Sequence, residues 1–185
     1  MKLKTIILVL VLIISVLSGC NQANVPPVTT QAPQTTAPDT VTTASIVNTE
    51  AAFEKGISNT GTWIICTLKD LTFTKELVLD GEFKNGKQDD AGNDVIQRKI
   101  ALYEQDAERK VTARYNLTAP KLTINSLNAR IQSGTFKGDL YVSSKNFQLV
   151  DATVEGNVYF TTDDAKSTFK MDDKSKVTGK QELKK

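Results

Sequence analysis

Residues 129–144 (ARIQSGTFKGDLYVSS) and 147–162 (FQLVDATVEGNVYFTT) state one pattern twice, without a gap, at an offset of 18. Ile131 falls on Leu149, Phe136 on Val154, Gly138 on Gly156, Leu140 on Val158, Tyr141 on Tyr159 and Val142 on Phe160. Within each copy apolar and polar residues alternate, the period of a strand with one buried face. A repeat of about 20 residues that keeps this alternation is the signature of stacked coils, each laying strands beside those of the coil before. The chain is therefore expected to be all-β, a single-stranded parallel β-helix, or β-solenoid.

Pro120–Ile124 aligns on Gly138–Val142 at the same offset, so the repeat begins by about residue 118. A shifted final copy runs from Phe169 to Gly179, after an insertion at Asp163–Lys166 and one extra residue near Asp172. Stacking then predicts two inward rows, Leu122–Leu140–Val158 and Ile124–Val142–Phe160. It also predicts a hydroxyl row at a bend (Ser126, Ser144, Thr162) and an outward row of Thr123, Tyr141 and Tyr159, spaced by about 4.8 Å.

The front half is less regular. Thr49 to Lys55 reads as a short helix with Thr49 as N-cap and Gly56 at the stop, too short to stand alone and suited to capping the open end of a stack. Apolar runs at Thr62–Thr67, Leu71–Phe73 and Leu77–Leu79 read as first coils. Residues 84–97 (KNGKQDDAGNDVIQ) mark a protruding loop or hairpin, and alternation returns at Arg98–Tyr103 and Lys110–Leu117.

Ahead of this domain lie two segments of another kind. Lys2 and Lys4, the apolar run Thr5–Val16 and Leu17-Ser18-Gly19-Cys20 read as a lipoprotein signal peptide over residues 1–20, with Cys20 in a lipobox as the acylated first mature residue. Two acyl chains hold a protein stably where one does not. This places the protein on the extracytoplasmic face of a bacterial membrane. Residues 21–48, with Pro26, Pro27, Pro33, Pro38, many threonines and a single charge at Asp39, read as an extended tether that buries no core. Residues 49–185 are left as one solenoid domain. Its cysteine usage is spare: Cys66 sits in an apolar run and reads as a buried thiol with no role. The chain has no histidine, which removes the commonest general base and zinc ligand, and no cofactor or metal is expected.

Three sets of residues invite a functional reading. Tyr141 and Tyr159, stacked on an outward face, offer an aromatic contact for sugars, bases or a partner, although like residues also ladder in solenoids for packing alone. Arg98, Lys99, Arg109, Lys110, Arg114, Lys121 and Arg130 outnumber Glu104, Asp106 and Glu108 in their stretch. They form a candidate polyanion-binding set, with Arg114 and Arg130 on outward positions of neighbouring rungs. The aspartates of Asp89-Asp90, Asp163-Asp164 and Asp172-Asp173 fit solvated turns better than calcium loops. No carboxylate sits in a run resembling the active-site motifs of β-helical polysaccharide hydrolases or lyases.

The rungs TFKGDLYV and TVEGNVYF, with a glycine two residues before an apolar-aromatic-apolar triplet, resemble those of bactofilins, the polymer-forming cytoskeletal β-helices. They are also similar to the solenoid domain of clostridial-type surface lipoproteins. The resemblance covers residues 118–180. It implies a right-handed coil and end-to-end self-association, and it brings no catalytic residues; the lipobox and the front half depart from the bactofilin pattern. The expected function is that of a non-catalytic surface lipoprotein whose solenoid is an adhesive or scaffold module. Its partners would be the membrane, through Cys20, and envelope proteins, wall polymer or other matrix components. The alternative is sequence-independent binding of extracellular DNA or another polyanion, and a polysaccharide-active enzyme ranks third.

Overall fold

The computed structural model of the protein describes residues 45–184. They form a β-solenoid whose strands stack in three parallel columns. The first column runs through Ser45–Ile46, Ile64–Cys66, Lys99–Ala101, the start of Arg130–Val142, the start of Gln148–Glu155, and Lys170–Met171. The second runs through Leu71–Thr72, the start of Asn116–Ile124, the middle of Arg130–Val142, the end of Gln148–Glu155, and Lys176–Val177. The third runs through Leu77–Leu79, the end of Asn116–Ile124, the end of Arg130–Val142, Val158–Phe160, and Gln181–Leu183.

The offset of 18 sets this register. Leu140 pairs with Val158, Tyr141 with Tyr159 and Val142 with Phe160, while Leu122, Thr123 and Ile124 sit on the coil before. Every side chain of the two expected inward rows is buried. Two further rows extend the core: Ile65, Ile100, Ile131 and Leu149 on the first column, and Leu71, Leu117, Phe136 and Val154 on the second. Each such side chain contributes about 1.5–3 kcal/mol by leaving water.

Glycine recurs in the rungs because of the bend between the second and third columns. Gly138 and Gly156 have φ of 139° and 157°, and a Cβ on either would overlap the carbonyl oxygen of the coil before, Ala119 for Gly138 and Gly138 for Gly156. Beside them Asn157 donates from its backbone N–H and its amide to Asp139 Oδ1, at 3.0 and 2.9 Å. At the bend between the third and first columns Asn128 and Asn146 adopt φ of 53° and 60°, a conformation asparagine tolerates. There Asn146 donates to Asn128 Oδ1 at 2.9 Å, and Asn128 to the Ile96 carbonyl at 2.8 Å. Half-buried polar side chains at these two bends are thus satisfied by groups of the neighbouring coil.

Several expectations are corrected in the front half. The helix spans Glu50–Ile57, with the Thr49 hydroxyl accepting from the Ala52 N–H at 3.2 Å. Gly56 does not stop it: it lies inside the last turn, where the helix presses onto Ile65 and a Cβ would crowd the isoleucine at 3.3 Å. The folded part begins by Ser45, so the end of the expected tether belongs to the first column; Val47 is buried and donates to the Cys66 carbonyl at 2.8 Å. Residues 84–97 do form a hairpin, Lys84–Gln88 against Asp94–Ile96. A second hairpin, Tyr103–Gln105 against Val111–Arg114, leaves the stack between its first and second columns. The alternation of Lys110–Leu117 belongs largely to that hairpin and not to a rung. Thr162 ends the hydroxyl row by capping a helix, Asp163–Ser167, in the expected insertion.

Candidate functional site

The third column turns a flat outward face to solvent, with Val78, Thr123, Tyr141, Tyr159 and Glu182 in one row. The two tyrosine rings lie 4.9 Å apart between centroids and are inclined at 46°, a favourable offset arrangement rather than a flat sandwich. The centroid spacing is close to the separation of neighbouring strands. Both rings are half-buried. Lys121 Nζ stands 4.9 Å from the Tyr141 ring, and Lys184 Nζ stands 4.4 Å from Tyr159 and 5.3 Å from Tyr141. Lys184 also donates to the Tyr141 hydroxyl at 3.0 Å, and this contact raises the ammonium above the usual lysine value. Lys121 is paired with Glu76 at 2.9 Å. Two aromatic rings bordered by two ammonium groups form a surface that combines stacking area with hydrogen-bond donors.

The basic set does not converge in the same way. Arg98 is wholly buried and unavailable to any polyanion: its guanidinium donates to the carbonyls of Gly56 at 2.6 Å, Ser58 at 3.2 Å and Asp80, and lies 4.1 Å from the Phe83 ring. Burial pushes it down to about 10. It is a clamp between the end of the first helix, the turn after the third column and the first hairpin. Sequence alone places it on a surface because arginine almost never occupies a core unpaired. Arg114 is not on a rung; it reaches from the second hairpin to the Asp151 carboxylate at 2.6 Å. Arg130 does face outward on a rung and donates twice to Gln148 Oε1, at 3.2 and 2.7 Å. Lys99 donates to the Tyr103 hydroxyl at 3.1 Å. Arg109 and Lys110 are exposed at the tip of the second hairpin, and Lys121 belongs to the tyrosine face.

Cys66 is half-buried, its thiol 3.7 Å from the Tyr103 carbonyl, and burial raises it above the usual thiol range, as suits an inert residue. Among the described residues no three His, Cys, Asp or Glu side chains cluster to hold a metal ion, and no helix is long and apolar enough to cross a membrane. Cys20 and most of the expected tether lie outside the described residues. Comparison with protein-family models, curated proteins and solved structures gives no match to this chain.

Proposed function

We propose that the protein is a non-catalytic surface lipoprotein, held to the extracytoplasmic face of the membrane through Cys20, whose solenoid is an adhesive module for envelope or matrix polymers. The observation that supports this most is the outward face of the third column. Tyr141 and Tyr159 stack there with Lys121 and Lys184 at their edges, while the rows beneath them are closed hydrophobic core. Rings held by a rigid sheet lose little freedom when a partner docks, so their area converts efficiently into affinity. The polyanion alternative draws less support, since Arg98 is buried and Arg114 and Arg130 spend their donors within the protein.

Sedimentation of the purified chain carrying Cys20→Ser, which has no acyl anchor, with isolated bacterial envelopes tests the reading. This unacylated protein is expected in the pellet, and adding Tyr141→Ser with Tyr159→Ser is expected to release it. Equal partitioning with and without the tyrosine changes, or no unacylated protein in the pellet, would overturn the assignment of this face.

A further inference from the structure

A second site lies at the corner between the first and second columns, away from the tyrosine face. There the second hairpin folds back over the stack and leaves an open cavity of about 330 Å³, the lower end of the size range of small-ligand sites. Its floor is the outward row of the second column, where Asn116, Thr135 and Thr153 are in register on successive coils. Tyr115 and Arg114 come from the hairpin side, and Lys174 from the coil beyond.

The bonding state of these groups decides what can enter. The carboxylates of Asp151, Asp70 and Glu104 already have partners. Asp151 accepts from Arg114 at 2.6 Å and from the Ser133 hydroxyl at 3.2 Å. Asp70 accepts from the Asn116 amide and backbone, each at 2.8 Å, and is held below the usual carboxylate range by them. Glu104 accepts from the Tyr115 hydroxyl at 3.2 Å. The groups left over are different in kind: the hydroxyls of Thr135 and Thr153, and the ammonium of exposed Lys174. The corner beneath them is rigid. Gly134 has φ of 77° and no room for a Cβ against the Leu102 and Tyr115 carbonyls, and Ser133 and Asp151 are held at φ of 51° and 53°.

Hydroxyls on a rigid floor match a ring that carries its own hydroxyls, and Lys174, the uncommitted cation among the lining residues, matches one anionic substituent. We infer that this cavity binds an acidic saccharide, a sugar ring bearing a carboxylate, with Thr135 and Thr153 under the ring hydroxyls and Lys174 on the carboxylate. The assignment stands independently of the tyrosine face.

Calorimetric titration of the full-length chain in detergent with oligogalacturonate, and separately with neutral oligogalactose, is the test. Oligogalacturonate is expected to bind and the neutral oligomer to bind at least tenfold more weakly. Lys174→Gln is expected to lower affinity for oligogalacturonate about tenfold, the loss of one charge-assisted hydrogen bond. Thr153→Val, which keeps the shape of a strand residue, is expected to lower affinity for it severalfold. Lys55→Gln, an exposed residue of the first helix, is expected to leave this titration unchanged, which shows that the effect of Lys174 is not one of net charge alone. No heat with oligogalacturonate, equal affinity for the neutral oligomer, or native affinity in both cavity variants would overturn the inference.

Discussion

Arg98 offers the sharpest quantitative test of how the front of the solenoid is held. Its charge-assisted hydrogen bonds are each worth about 1.5–3 kcal/mol against an unmade bond, but keeping a guanidinium out of water costs several kcal/mol. The residue as a whole is therefore close to neutral, and the cost of replacing it lies in what is left behind. Two of its three carbonyl partners retain a backbone donor, Gly56 from Thr62 and Ser58 from Gly61. The Asp80 carbonyl would be left exposed to the cost of an unmade bond, about 1–3 kcal/mol. Arg98→Met fills a similar volume, so we expect a loss of about 2 kcal/mol. Arg98→Lys keeps a charge in the same dry place with a shorter side chain that cannot span the three carbonyls or stack on Phe83, and we expect about 3–5 kcal/mol. With a urea slope of about 2 kcal/mol per molar, the midpoints fall by about 1 M and about 2 M. Trp63, the one tryptophan of the chain, lies one residue before the first column's strand Ile64–Cys66 and reports the transition by fluorescence. Hydrogen exchange should show the loss confined to residues 45–101, the coils and hairpin that Arg98 joins, because stacked coils depend chiefly on their neighbours. The ranking is the decisive result: a lysine variant as stable as the native chain would mean that water reaches the site and that Arg98 is no clamp.

Other outcomes follow from the bends and turns. Gly138→Ala must adopt a φ that alanine avoids and push into the Ala119 carbonyl, so a loss of about 3 kcal/mol or more in thermal or urea unfolding is expected. Asn146→Ala should cost about 1–2 kcal/mol through its left-handed backbone and its lost bond to Asn128, while Asn146→Gly, which relieves the backbone, should cost less. Asp70 is held below its usual value of 3.8 by Asn116. Its contribution is therefore complete above that value and disappears as pH falls through the lowered folded-state value. Asp70→Asn should accordingly lower the melting temperature slightly at pH 7 and flatten the acid limb of the profile below about pH 4, so that variant and native chain converge at low pH.

The coils from Ala129 to Thr162 were legible because the offset between them is a constant 18. Once Leu140 and Val158 are assigned to one row, the parity of the strand determines which neighbours face in, and Tyr141 and Tyr159 must meet outside. The bend residues carried a signal as well: Asn128 and Asn146 stand 18 apart, as do Asp139 and Asn157. The front half hides its coils because two hairpins interrupt them, and a hairpin strand alternates with the same period as a rung. Lys110–Arg114 could not be told from a rung on that basis, and the cavity between the hairpin and the second column was invisible with it. The sequence places Arg98 in the basic set, and its buried position is hidden for another reason. Its three acceptors are backbone carbonyls, including two 40 or more residues away, which leave no mark in the side-chain pattern.

Everything rests on residues 18 apart becoming vertical neighbours, and engineered disulfides measure this directly. With Cys20 and Cys66 replaced by serine, Lys137→Cys and Glu155→Cys occupy paired positions of adjacent strands. Such strands lie about 4.8 Å apart, inside the Cα range a disulfide spans. Thr118→Cys with Glu155→Cys places the thiols in the same row with one strand between them, beyond that range. Mild oxidation is predicted to close the first pair within the monomer and leave the second as free thiols. A second pair that closes as readily as the first, or a first pair that stays reduced, would contradict the stack.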